Sequence, residues 1–142
     1  MTERSSSVRP SIPVAGDRRA IVIDDSRAMR SLLRSALETC GFVVSEASDG
    51  LRALPQLAAD EPFNLALVDW NMPGLDGLAL IRLLRKNPRY DRMVIVMVTS
   101  EAEPSQIERA LAAGANEYIM KPLSAEILVE KLRLLEEEEA EW

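Results

Sequence analysis

Six side chains in this sequence have the chemistry to act together: Asp24, Asp25, Asp69, Thr99, Ser100 and Lys121. Each stands just beyond a short apolar run. Ile-Val-Ile23 leads into Asp24-Asp25, Leu-Ala-Leu-Val68 into Asp69, Val-Ile-Val-Met-Val98 into Thr99-Ser100, and Tyr-Ile-Met120 into Lys121-Pro122. Taken singly, each residue has a plain role. Asp69, shortly before Pro73-Gly74, suits a turn, and Asp24 and Asp25 suit a helix cap. Thr99 and Ser100 could end a strand, and Lys121 could be a solvated loop lysine. It is the coincidence at four run ends that argues for a site.

Short apolar runs of this kind fit strands buried on both faces of a parallel sheet. Their carboxyl ends then lie on one edge, where open α/β sheets place ligands. Three carboxylates, two hydroxyls and one ammonium would share that edge. Two unit charges ~4 Å apart interact by about 4 kcal/mol at an effective dielectric of about 20. One lysine therefore compensates three carboxylates poorly, unless their pKa values rise or a cation binds. Oxygen donors without histidine select a hard ion, best matched by Mg2+ that keeps several waters. A carboxylate beside such an ion and a lysine is a nucleophile suited to a phosphoryl group, whose transfer requires positioning and charge neutralisation more than a general base. On this reading Asp69 attacks and Asp24 and Asp25 hold the metal. Lys121 neutralises one phosphoryl oxygen and the Thr99 hydroxyl hydrogen-bonds another. The product is an acyl phosphate, which suits a switch.

The elements needed to position these groups can be read from the periodicity. A strand at 19–23 precedes a helix with apolar positions Met29, Leu32, Leu33, Ala36 and Leu37, stopped by Gly41. A strand at 42–47 precedes a helix opened by Asp49-Gly50, with Leu51, Leu54, Leu57 and Ala58 facing inward. The strand ending in Asp69 precedes a helix carrying Leu78, Leu80, Ile81, Leu83 and Leu84. Residues 93–98 form a fourth strand, and Pro104 suits the first turn of a helix through Ile107, Ala110, Leu111 and Ala113. A fifth strand at 117–120 leads to a helix started by Ser124 and carrying Ile127, Leu128, Leu132 and Leu135. Five βα units in strict alternation predict a parallel sheet with right-handed crossovers and helices on both faces. Residues 1–18, rich in Ser, Pro and Arg, are expected to be an unordered leader. The domain is expected over 19–136, with an acidic tail at 137–142 that opposes the helix dipole and frays.

Composition narrows the function classes. The 142 residues suffice for one domain, and their 17 basic against 23 acidic residues give a net charge of -6. That balance argues against general nucleic-acid affinity. With no histidine, triads and imidazole metal sites are excluded. Cys40 has no partner cysteine and reads as a packing residue in a reduced, cytoplasmic setting. No apolar run is long enough to span a bilayer as a helix.

The sequence resembles a response-regulator receiver domain of bacterial two-component signalling, similar in form to single-domain chemotaxis regulators. The residues that carry this are Asp24-Asp25-Ser-Arg-Ala-Met-Arg30, Val68-Asp69-Trp-Asn-Met-Pro-Gly-Leu-Asp-Gly77, Val96-Met-Val-Thr99-Ser-Glu101 and Lys121-Pro122. The resemblance implies a flavodoxin-like (βα)5 three-layer sandwich with strand order 2-1-3-4-5. It implies phosphorylation of Asp69 by a histidine kinase or phosphotransfer protein, with Mg2+ bound by Asp25 directly, by Asp24 largely through water, by Asp69, and by the Asn71 backbone carbonyl. Thr99 and Lys121 take the catalytic hydroxyl and lysine positions. Tyr118 matches an aromatic that changes rotamer with Thr99 on activation, while Asn71 and Glu101 match positions that tune dephosphorylation. The implied partner face includes Ala102, Ile107, Tyr118, Leu123, Ile127 and Lys131, for a downstream protein or a phosphorylation-dependent homodimer; a monomer otherwise. Pro104 and Leu123 depart from the residues of motor-binding relatives, so the target is left open.

Other readings stay open. The chain could be a receiver cut from a larger regulator or hybrid kinase. An aspartyl-phosphate hydrolase of the haloacid-dehalogenase type also places an aspartate after a strand, but Asn71 stands where its second acid belongs. Neither a Gly-x-Gly-x-x-Gly nor a Walker loop follows any strand, which disfavours nucleotide binding.

Overall fold

The computed structural model describes residues 9–137. Strands β1 (Arg18–Ile23), β2 (Phe42–Ala47), β3 (Leu65–Val68), β4 (Val94–Thr99) and β5 (Glu117–Met120) alternate with helices α1 (Arg27–Thr39), α2 (Gly50–Leu57), α3 (Gly77–Arg85), α4 (Pro104–Ala113) and α5 (Ala125–Leu134). All strand pairs are parallel, in the order β2-β1-β3-β4-β5. This is the expected flavodoxin-like three-layer architecture.

The period of two in the strands divides the core. Ile21 and Ile23 of β1 pack with α2, α3 and α4 through Ala53, Leu80 and Ala110, whereas Ala20 and Val22 pack with α1 and α5 through Leu37 and Leu128. β3 and β4 are buried along their whole length, as central strands covered on both faces must be. Helix starts follow local chemistry. The side chains of Ser26, Asp49, Asp76 and Ser124 accept from backbone N–H groups three residues on, while α4 begins at Pro104 without a side-chain cap. Ser26 thus caps α1, so a capping role does not account for Asp24 and Asp25.

Several expectations are corrected. In α2 the buried positions are Gly50, Ala53 and Leu57, while Leu51 is 60% exposed and Ala58 is also exposed. The start of α2 lies so close to the loop before α3 that a Cβ on Gly50 would stand 2.9 Å from the Leu75 carbonyl, which turns the 50/53/57 face inward. Leu32, Leu83 and Leu111 are exposed too, because their helices bury narrower stripes than the leucine pattern suggests.

The expected unordered leader is corrected where it is described, at residues 9–18. Ile12 is completely buried among Leu33, Leu37 and Leu132 and forms a parallel bridge with Glu136. Its N–H donates to the Leu135 carbonyl, and its carbonyl accepts from the Glu137 N–H, both at 2.8 Å. Residues 1–8 of the leader and 138–142 of the expected frayed tail lie outside the described residues.

Away from the strand carboxyl ends, a buried guanidinium ties the opposite edge together. Arg85 donates to the carbonyls of Tyr90, Met93 and Gly114 and to Asn116 Oδ1. Burial lowers its pKa to about 10. Gly114, at φ +122°, lies where a Cβ would stand 2.3 Å from the Arg85 side chain.

Candidate functional site

Register explains how four separated run ends become one site. β1 and β3 pair Ile23 with Val68, and Asp69 N donates to the Ile23 carbonyl at 2.9 Å, setting Asp24 beside Asp69. β4 and β5 pair Thr99 with Met120, and Lys121 N donates to the Thr99 carbonyl at 2.9 Å. Because β3 lies between β1 and β4, the two halves close on Asp69.

The polar groups are held tightly. Asp24, Asp69 and Thr99 are the buried polar or charged side chains of the described residues. Lys121 Nζ donates to Asp24 Oδ2 at 2.8 Å and to Asp69 Oδ2 at 3.2 Å, bridging the two carboxylates. Burial is the largest influence on that ammonium and opposes its charge. The hydrogen bond and charge of Asp24, then the charge and hydrogen bond of Asp69, outweigh burial and hold the Lys121 pKa above its ordinary value. Asp24 Oδ1 also accepts from Ser26 N at 2.8 Å, and its backbone carbonyl accepts from Arg30 at 2.7 Å. Arg30 is paired in turn with Glu46 at 3.2 Å.

Asp25 is exposed, yet one carboxylate oxygen from each of Asp24, Asp25 and Asp69 can be chosen so that all lie within 4.8 Å of one another. Three carboxylates beside one ammonium leave two negative charges without a local counter-charge. The donor set is all oxygen, two of its members are buried, and the third faces solvent, where a partly hydrated ion would enter. These residues fit a hard divalent cation.

The sequence-predicted residues around this centre fall into two groups. Asn71 is exposed, and its Nδ2 donates to Glu101 Oε2 at 2.8 Å, so the side chains of these two positions join across the site's mouth. Tyr118 lies inside the protein, 8% exposed, with its hydroxyl donating to the Glu101 carbonyl at 2.5 Å. Burial, then the charges of Glu101 and Asp69, raise its pKa. Thr99 Oγ1 accepts a long bond, 3.4 Å, from Glu101 N. Glu101 therefore meets Asn71, Thr99 and Tyr118 at once. Of the expected partner face, Ala102 and Ile127 are exposed, Ile107 and Lys131 are half-buried, and Leu123 and Tyr118 are buried in the two separate halves of the core.

Two contributors had no role assigned from sequence. Gly77 donates its N–H to the Trp70 carbonyl at 2.9 Å, and a Cβ there would stand 2.1 Å from the Asp69 carbonyl oxygen. Only glycine lets α3 begin so close to the strand end that carries Asp69. Arg109 of α4 stands over the Trp70 ring, 5.6 Å from its centroid, joining α4 to the residue after Asp69. The Gly-after-Asp76 pattern was a visible signal for the first; nothing local in sequence marks the second.

Comparison with known proteins is consistent across sequence and structure. A family model described as response regulator receiver domain matches residues 20–133. The chemotaxis protein CheY of Pseudomonas aeruginosa is 40% identical over 113 residues, covering 79% of this chain and 90% of that protein. CheY1 of Helicobacter pylori is 36% identical over 116 residues, covering 81% and 94%. Chemotaxis protein CheY4 of Vibrio cholerae superposes with a TM-score of 0.79 at 28% identity, covering 84% of this chain and 99% of that one.

Proposed function

The chain belongs to the response regulator receiver domain family, and on that premise we propose that it carries its signal as an acyl phosphate on Asp69. The observation that carries this reading is the Lys121 ammonium, shared between Asp24 and Asp69, with buried Thr99 on the strand end beside it. The donor is a phosphohistidine of a histidine kinase or phosphotransfer protein. An Asp69 carboxylate oxygen attacks phosphorus, the P–O bond forms, the P–N bond breaks, and the imidazole leaves with a proton. Lys121 faces one phosphoryl oxygen and the Thr99 hydroxyl donates to another. Asp24, Asp25 and Asp69, with the Asn71 backbone carbonyl, hold Mg2+, which neutralises phosphoryl charge when bound. Water later attacks phosphorus, releases inorganic phosphate and restores the carboxylate. Apart from that self-phosphorylation and dephosphorylation, the reading assigns the chain no enzymatic activity.

The switch follows from where Thr99 and Tyr118 sit. A Thr99 hydroxyl drawn to a phosphoryl group gives up its bond from Glu101 N, and the Glu101 carbonyl is the acceptor for Tyr118. A phosphoryl group thereby biases the packing of Tyr118 of β5 against α4, and with it the downstream contact around Ala102, Ile107, Leu123, Ile127 and Lys131. Asn71 and Glu101, bonded to each other at the mouth, govern how water reaches the acyl phosphate. No helix of the described residues is long and apolar enough to cross a membrane, which agrees with work in the cytoplasm.

The test uses acetyl phosphate as donor. Wild type with Mg2+ gains one phosphoryl mass in intact mass spectra, stable in acid and lost in base. Without Mg2+, or in Asp69→Ala, the gain is absent. Equal labelling of Asp69→Ala and wild type would sink the reading.

A further inference from the structure

We propose that Arg30 is a positioning residue for the cation site: it fixes the peptide between Asp24 and Asp25, and Glu46 lets it do so without repelling the ion. This rests on the reading above in taking Asp24, Asp25 and Asp69 as Mg2+ ligands, and it adds what holds the exposed one in place.

Of the three carboxylates, Asp25 is the one that no side-chain contact secures. Asp24 Oδ1 accepts from Ser26 N and its Oδ2 from Lys121, both at 2.8 Å, while Asp69 Oδ2 accepts from Lys121 at 3.2 Å. The Asp25 carboxylate is exposed and has no hydrogen-bond or ion-pair partner among the described residues. It nevertheless offers an oxygen to the cluster within 4.8 Å. Its place is therefore set by the backbone. The Asp24 carbonyl belongs to the same planar peptide unit as the Asp25 nitrogen. Arg30, from the first turn of α1, donates its Nη1–H to that carbonyl at 2.7 Å. Holding the carbonyl holds the plane from which the Asp25 side chain departs.

A bare guanidinium at this distance would work against a bound cation, and Glu46 offsets it. Glu46 Oε1 lies 3.2 Å from Arg30 Nε, and its Oε2 lies 2.8 Å from Arg34 Nη1. Glu46 is itself fixed, paired with Val22 in the β1–β2 register and accepting at its carbonyl from Gln56 of α2 at 2.9 Å. Both arginines tie α1 to β2. Arg30 alone also reaches the Asp24 carbonyl, and its side chain is 16% exposed against 42% for Arg34. The peptide is thus gripped by a donor whose charge is already balanced.

Charge and geometry predict opposite signs for loss of Arg30. By charge alone, removing a cation near three carboxylates tightens Mg2+ binding. By geometry, freeing the peptide that directs Asp25 weakens it. Because Glu46 balances the charge, geometry wins. Groups that orient metal ligands are worth about 10–100-fold in affinity, and one ligand held through its backbone belongs at the low end.

Two measurements on the full chain test this: calorimetric titration with Mg2+, and 15N relaxation of the Asp25 amide in metal-free protein. Arg30→Met weakens Mg2+ binding about tenfold and lowers the order parameter of the Asp25 amide. Glu46→Gln leaves the guanidinium unbalanced and weakens binding severalfold. In an Arg30→Met background the same change has less than about a twofold effect, because Glu46 acts through Arg30. Arg34→Met also breaks a bond between α1 and Glu46, yet it leaves Mg2+ affinity within about twofold and the Asp25 amide unchanged. Tighter or unaltered Mg2+ binding in Arg30→Met would overturn the proposal. So would equal losses from Arg30→Met and Arg34→Met, or a Glu46→Gln loss that persists without Arg30. Should Arg30→Met fail to fold, Glu46→Gln, which keeps Arg30, decides alone, and unaltered Mg2+ affinity there rejects the proposal. A wild-type chain that binds no Mg2+ would refute the cation site itself, and the relaxation data would still decide whether Arg30 holds Asp25.

Discussion

Replacing Gly77 with alanine sets a small gain against a hard clash. The gain is helix propensity, at most about 1 kcal/mol, part of it from a stiffer unfolded chain. The clash is with backbone. An added Cβ would stand 2.1 Å from the Asp69 carbonyl oxygen, 2.8 Å from its carbon and 2.9 Å from Trp70 Cα. Ordinary contacts between carbon atoms begin at about 3.5 Å, so α3 and the end of β3 must separate by roughly 1 Å. No side chain can rotate away to absorb this. Overpacking of one methyl group costs about 1–3 kcal/mol, more where the neighbours are rigid, so the clash wins. Net destabilisation of about 1–2 kcal/mol lowers Tm by about 3–8 °C for a chain of this size. The functional effect is larger, since the displaced atoms belong to Asp69 itself. A misplacement near 1 Å can slow a positioned reaction by about 100-fold. Thermal unfolding by circular dichroism and the initial rate of acetyl phosphate labelling measure the two effects. A Gly77→Ala protein that melts at or above the wild-type temperature and labels at the wild-type rate would refute this reasoning.

Three other outcomes follow from the same geometry. Lys121→Met removes a cation competing for Asp24 and Asp69, so calorimetric titration with Mg2+ gives tighter binding by severalfold, while acetyl phosphate labelling slows; weaker Mg2+ binding would contradict the charge argument. Ile12→Ala leaves a cavity in the core where residue 12 meets residues 135–137 and costs about 2–4 kcal/mol in urea unfolding, although Ile12 lies outside the matched receiver span. Glu46 has a lowered pKa, chiefly through its hydrogen bond from Arg34, opposed by burial and aided by Arg30. Its contribution is present above the ordinary value of 4.5 and is lost as pH falls through its lower folded pKa. Glu46→Gln is therefore less stable than wild type at pH 7 by about 1 kcal/mol, and the difference closes in acid; a constant difference across pH would exclude linkage to this carboxylate.

What the sequence made legible was whatever local chemistry decides. Alternation of β-branched runs with helical periodicity was enough for five βα units, and parallel pairing then brings the strand ends carrying Asp24, Asp69, Thr99 and Lys121 to one edge. Ser124, Asp49 and Pro104 marked helix starts because caps and first turns depend on side chains a few residues away. The failures come from long-range packing. Leu51, expected to face inward, is exposed and Ala53 is buried, because α2 is oriented by the approach of Gly50 to Leu75, a contact invisible to helical spacing. Ile12 lies between prolines with no periodic neighbours, and its burial depends on Leu135 and Glu137 at the far end of the chain. The resemblance implies that Tyr118 moves, but its position here depends on the Glu101 carbonyl in the β4–α4 connection, which accepts from its hydroxyl.

The most direct measurement is chemical mapping of the labelled residue. An acyl phosphate on an aspartate is reduced by borohydride to homoserine, and peptide mass spectrometry then locates the reduced position. After acetyl phosphate and Mg2+, the account predicts homoserine at position 69, none at Asp24 or Asp25, and loss of the signal in Lys121→Met to a small fraction of wild type. Reduction at another carboxylate, or a phosphorylated protein with position 69 intact, would contradict it.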